Sequence, residues 1–93
     1  MNIVWEAETR RSAAYDGEKC VGIAEVEDED EDGRRVITHT EVDPAYGGQG
    51  IARRLIEEVI AAARRDGAKI VPLCSYADKM MQGKAAYADV LAD

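Results

Sequence analysis

Three glycines fall within four residues at Gly47-Gly48-Gln49-Gly50, directly before a segment with helical apolar spacing. Glycine lets a chain turn sharply and lets its amide N–H groups face outward with no Cβ in the way. The first turn of a helix adds unpaired N–H groups and the positive end of the helix dipole. Together these make a cradle for a phosphate; the alternative is a tight strand-to-helix turn and nothing more. A loop that binds nucleoside triphosphates for hydrolysis ends in Gly-Lys-Ser/Thr, whereas here Gly50 is followed by Ile51-Ala52, which excludes that chemistry. A dinucleotide fingerprint needs another glycine spacing, an acidic residue after the next strand and a doubly wound sheet that 93 residues cannot build. The pyrophosphate of coenzyme A is the best remaining fit.

Other residues with reactive side chains are few. Cys74 lies at the end of the strand expected after the helix, followed closely by Tyr76, while the single histidine, His39, sits two residues from Glu41. There is no Gly-x-Ser-x-Gly elbow for a serine hydrolase. One histidine and no paired-cysteine spacing argue against a structural zinc site. Two cysteines make no disulfide framework and can both stay reduced, as in a cytoplasmic protein.

The elements that must position these residues alternate in character along the chain. Arg11–Tyr15 and 20–26 read as strands joined through Asp16-Gly17, a strong hairpin signal. Small residues surround Cys20, which is expected in the core. Asn2–Ala7 reads as a further edge strand. Six acids from Glu27 to Asp32, closed by Gly33, are expected to form a solvated hairpin loop. The β-branched run 36–42 is a strand, and strict alternation puts Ile37, His39 and Glu41 on one face. Asp43-Pro44 ends it.

From Ile51 to Asp66 the apolar residues Ile51, Leu55, Val59 and Ala63, with Ala52, Ile56 and Ile60, form the stripe of an amphipathic helix stopped by Gly67. Arg53 with Glu57, and Arg54 with Glu58, are spaced to pair on its wet side. Lys69–Cys74 is a strand interrupted by Pro72, followed by a short helix to about Gln82 with Ser75 as its expected N-cap. Strand, helix, strand is a βαβ unit, so the strands ending at Val42 and Cys74 should be parallel neighbours. Pro72 cannot donate to a ladder, so the second strand should lie at an edge or break away, leaving a wedge between the two.

Length and charge narrow the class. Ninety-three residues suffice for one small domain, residues 1–93, with a thin core. The 12 basic and 19 acidic residues give a net charge of −7, the wrong sign for a general nucleic-acid binder. No apolar run approaches the roughly 20 residues that span a bilayer. An exposed sheet edge gives such a chain reason to form a homodimer.

The stretch His39-Thr40-Glu41-Val42-Asp43-Pro44-Ala45-Tyr46-Gly47-Gly48-Gln49-Gly50-Ile51-Ala52-Arg53-Arg54-Leu55 resembles the acetyl-CoA-binding motif of the GNAT superfamily of N-acetyltransferases. Cys74-Ser75-Tyr76-Ala77 and the chain length are similar to its minimal, single-domain branch. The resemblance implies an α/β (α+β) fold with a mixed, mostly antiparallel sheet, one βαβ unit and short C-terminal helices. It also implies parallel strands that splay to admit the pantetheine arm of acetyl-CoA. Backbone near Glu41, Val42 and Asp43 would line the slot, and the amides of Gly48, Gln49, Gly50, Ile51 and Ala52 would hold the pyrophosphate. Arg53 and Arg54 either reach phosphates or pair with glutamates. Gly47 stands where the superfamily usually has Arg or Gln, a contact for which Gln49 could compensate. The helical wall that larger members build around the acceptor is missing.

Acetylating an amine needs a base for the amine and a proton donor for the departing thiolate. The expectation is that Cys74 protonates the coenzyme A sulfur or accepts the acetyl group itself; the alternative is a small buried apolar residue. Tyr76 is a second donor. His39 or Glu41 would deprotonate the amine, although a lone strand histidine is commonly structural. An acetyl-CoA-dependent N-acetyltransferase with a cationic acceptor is thus expected, against a non-catalytic coenzyme A-binding or protein-interaction module.

Overall fold

The computed structural model describes residues 1–29 and 33–92. Strands β1 (Asn2–Glu6), β2 (Arg11–Asp16), β3 (Lys19–Glu29) and β4 (Arg34–Val42) run antiparallel in sequence order. Helix α1 (Ile51–Asp66) crosses over, and β5 (Lys69–Pro72) joins β4 in parallel at the sheet edge. This is the expected mixed, mostly antiparallel sheet with one βαβ unit. A short helix α2 (Ser75–Met81) and a 3-10 turn (Ala85–Tyr87) follow. The chain from Val90 to Ala92 then lies along β5, where Ile70 N–H donates to Val90 O at 2.7 Å and Ala92 N–H to Ile70 O at 2.8 Å.

The helix forms where its apolar stripe falls. Ile51, Leu55, Ile56, Val59, Ile60, Ala62 and Ala63 are buried, and Gly67 closes the helix in the left-handed conformation at φ 69°. Ser12, fully buried on β2, donates its hydroxyl to Leu55 O at 2.8 Å and fixes the helix against the sheet. A Cβ at Gly22 would lie 3.1 Å from Leu55 Cδ1, so helix and β3 approach closely. Cross-strand partners share a face. The registers Ser12↔Ala24, Gly22↔Val42, Ala24↔Thr40 and Val26↔Ile37 therefore put all of these residues on the side that α1 covers.

Three expectations change. Glu25 pairs with His39 but Val26 with Ile37, so Thr38 is an extra residue, a β-bulge. Strict alternation fails there: Ile37 turns into the core, while His39 and Glu41 face the side opposite α1. The acidic block is not wholly a loop either, because Glu27, Asp28 and Glu29 belong to β3 opposite Val36, Arg35 and Arg34. Asp28 takes a two-pronged contact from Arg10 of the β1–β2 turn at 2.7 and 2.8 Å, so the expected self-repulsion is relieved by a neighbouring cation. The acids at 30–32 lie outside the described residues. Cys20 is exposed rather than core, since a second bulge at Val21 turns Val21 inward in its place.

Candidate functional site

The site begins where β4 and β5 part. Their pairing covers only Arg34↔Lys69 through Ile37↔Pro72. Pro72 has no N–H to offer, and Leu73 N–H folds back to Val71 O at 3.1 Å, leaving its side chain 68% exposed. One further bond, from Cys74 N–H to Ile37 O at 2.8 Å, stitches the two strands before α2 departs. Beyond it β4 continues through residues 38–42 with β3 on one side and a gap on the other. The bulge at Thr38 and the break at Pro72 stand level with each other, and together they open the wedge.

At the outer end of the gap the chain passes through a 3-10 turn, Pro44–Tyr46, into the glycine loop. The Asp43 carboxylate caps that turn by accepting from Ala45 N–H at 2.9 Å and pairs with Lys19 at 3.5 Å, while the Asp43 amide donates to Val21 O at 2.8 Å. Its backbone carbonyl accepts from Tyr46 N–H at 2.8 Å and so holds the turn closed. Tyr46 ties the loop to the β2–β3 turn: its hydroxyl donates to Asp16 at 2.6 Å and its ring lies 5.6 Å from the Lys19 ammonium. The Asp16 carboxylate beside it holds the Tyr46 hydroxyl proton on, above the ordinary tyrosine range.

Gly48 and Gly50 adopt φ of 78° and 74°, which disfavours any residue with a Cβ. A methyl group at either would meet nothing within 4 Å, so the space above the loop is open. Gly50 is the N-cap of α1 and has no side chain to satisfy the first-turn amides, and that turn holds no acidic residue. The amides near Gly50, Ile51 and Ala52 therefore suit an anionic group. Arg53 pairs with Glu57 at 3.5 Å, and Arg54 is exposed beside Glu57 and Glu58.

At the inner end lies Cys74. It, and not Ser75, is the N-cap of α2: its φ and ψ are −62° and 133°, and its carbonyl accepts the first helical bond from Asp78 N–H at 2.9 Å. Its Sγ–H donates to Thr40 Oγ1 at 3.5 Å. Burial pushes the thiol pKa up. The Ala77 amide, the Thr40 hydroxyl and the Tyr76 amide pull it down by more, and it falls below the ordinary thiol value. The two amides act as nearby dipoles, since the sulfur makes no side-chain capping hydrogen bond of normal geometry. Tyr76 is 43% exposed in the first turn of α2.

His39 and Glu41 also come together, Nε2 to Oε2 3.5 Å, with side chains 55% and 70% exposed. They face the opposite side of β4 from Thr40, so the cysteine and the His39–Glu41 pair meet the gap from different sides. Thr40 was missed from sequence; its only signal is its parity, opposite to that of His39 and Glu41. The role of Tyr46 was missed as well, for its partner Asp16 is thirty residues away.

The sequence profile of the GCN5-related N-acetyl-transferase family matches residues 11–90. The chain belongs to that family. It is also similar to a GCN5-like protein of Staphylococcus aureus with a proposed N-acetyltransferase activity, whose structure was determined in solution. The two share 26% identity and superimpose with a TM-score of 0.74 over 98% of this chain and 87% of that one. No curated protein matches the chain. Among the described residues no helix is long and apolar enough to cross a membrane.

Proposed function

We propose that the protein is an acetyl-CoA-dependent N-acetyltransferase whose acceptor is an amine. The observation that carries this reading is the continuity of gap and loop. The unpaired edge of β4 runs directly from Cys74 at its inner end to the uncapped, glycine-lined start of α1 at its outer end. A flexible arm ending in a pyrophosphate matches that shape. Gly48, Gln49, Gly50, Ile51 and Ala52 hold the pyrophosphate through their amides, Gly47 gives the loop its approach, and the backbone of Val42 and Asp43 lines the arm. Arg54, with no ion pair among the described residues, can swing toward phosphate, whereas Arg53 must first leave Glu57.

Bound there, the cofactor supplies an activated acetyl thioester. Cys74 then has two available roles. It donates its proton to the departing coenzyme A thiolate, or its sulfur attacks the acetyl carbon, forming a new C–S bond as the old one breaks. Its lowered pKa serves both, because a more acidic thiol gives up its proton more readily. His39 or Glu41 takes the proton that the amine must lose, and Tyr76 is the alternative donor to sulfur. Two free cysteines fit a reducing, cytoplasmic setting.

A second reading, a coenzyme A-binding module without catalysis, is favoured by the short β1–β2 connection, which leaves no room for a helical wall around the acceptor. Native followed by denaturing mass spectrometry with acetyl-CoA separates the two. A one-to-one adduct is expected, and its native mass counts subunits. An acetyl mark that survives denaturation and vanishes in Cys74→Ala establishes the covalent route. Full turnover by Cys74→Ala would remove the cysteine from the chemistry, and a folded protein that forms no adduct overturns the cofactor reading.

A further inference from the structure

The missing helical wall leaves the acceptor without a recognised place. The face of the sheet opposite α1 nonetheless carries a cleft of about 380 Å³ where β3, β4 and the start of the 3-10 turn meet. Arg11, Cys20, Ile23, Glu41 and Pro44 are among its lining residues, and Val42 and Asp43 join it to the cofactor slot. Its volume lies in the range of small-molecule sites, which are mostly apolar with a few convergent polar groups.

The charges around the cleft are not equivalent. Arg11 Nε donates to Glu6 at 2.8 Å, and the Asp43 carboxylate is held by Lys19 and by the Ala45 amide. Glu41 differs: among the described residues its side-chain neighbour is the His39 imidazole, 3.5 Å away, and its side chain stands 70% exposed. The cleft thus offers one carboxylate with spare accepting capacity, beside the apolar surface of Ile23 and Pro44. Glu41 also follows Thr40, which touches the Cys74 sulfur, and adjacent strand residues point to opposite faces. One residue step of β4 therefore separates the cleft from the gap.

Resting on the acetyltransferase reading, we propose that this cleft is the acceptor site and takes a small primary amine with an apolar body. Glu41 accepts hydrogen bonds from the ammonium, and Ile23 and Pro44 cover the hydrocarbon. Glu41 is then the anchor of the acceptor rather than its base. His39, on the same face, receives the ammonium proton before the nitrogen attacks.

The test uses the whole protein, titrated with phenethylamine and, separately, with the neutral 2-phenylethanol, while amide chemical shifts are followed by NMR. Each titration is run with and without coenzyme A. Saturable shifts at Ile23, Glu41 and the amides around Pro44 are expected for the amine, with far weaker binding of the alcohol. Glu41→Gln should weaken the amine about tenfold, the loss of a charge-assisted hydrogen bond. Glu25→Gln, on the same face but outside the cleft lining, should not. Equal affinity in Glu41→Gln, equal affinity for the alcohol, shifts centred elsewhere, or no saturable shift in either state would each overturn the proposal. Failure of coenzyme A itself to shift the glycine loop would instead strike the cofactor reading, independently of what the amine does.

Discussion

At the level of single residues, the thiol of Cys74 is set by what surrounds it rather than by the cysteine itself. Burial alone would make it a poor thiolate; the Ala77 and Tyr76 amides of a helix start and the Thr40 hydroxyl reverse that. The rate of alkylation by iodoacetamide, followed against pH in a Cys20→Ala background, should therefore turn on below the pH typical of a free thiol. Thr40→Val keeps the shape and removes the hydroxyl, so the same profile should move to higher pH. A profile unmoved by Thr40→Val would show that the hydroxyl contributes nothing to the charge on sulfur. The pairing of Cys74 with Thr40 was not legible in the sequence. Ser75 and Asp78 look like a better cap, and only the extra residue at Thr38 turns Thr40 toward the gap.

Elements differ in how far they can be read from local pattern. The stripe of α1, its glycine stop and the hairpin at Asp16-Gly17 depend on neighbours a few residues apart, and they emerge where expected. The two bulges depend on register against a partner strand, and nothing in β4 alone announces that Ile37 and His39 will face opposite ways. The same logic limited the acidic block, whose partners Arg10 and Arg35 come from the β1–β2 turn and from β4. The glycine loop was legible because left-handed backbone demands glycine. Gly48→Ala or Gly50→Ala should cost about 1 kcal/mol each, lowering Tm by about 4–8 °C in a chain of this size. Gly67→Ala, at φ 69° but at the far end of α1, should cost a similar amount. Isothermal titration with coenzyme A separates the positions: the two loop variants should bind more weakly and Gly67→Ala should not. Equal weakening by all three would reduce the loop effect to general destabilisation.

The molecule as a whole carries an excess of acid, yet several of its carboxylates are bound to cations in the fold. Glu6 is held below its ordinary pKa by Tyr15 and Arg11, Asp66 by Arg35, and Asp89 by Arg64. Carboxylates with depressed folded-state values stabilise the fold above their unfolded pKa, near 4, and that contribution is lost as pH falls through the folded values. Acid unfolding should accordingly begin below about pH 4. Asp66→Asn should be less stable than the parent at neutral pH, and the difference should shrink on acidification, because protonating Asp66 does to the parent what the substitution has already done. A difference independent of pH would mean that the Arg35–Asp66 contact, 2.6 Å long, contributes through packing and not charge.

The single stitch from Cys74 N–H to Ile37 O closes the wedge between β4 and β5. It is also a clock. An amide proton exchanges with solvent only when its bond opens, so the deuterium exchange of this one proton times the breathing of the wedge itself, separately from unfolding. If the arm of a cofactor enters by widening the strands, the Cys74 amide should exchange faster than those of Ile70 and Leu55 in the free protein, and slow when coenzyme A is added. Exchange at the rate of global unfolding would mean that the wedge stands ready-made, with its width already set by a proline and a bulge.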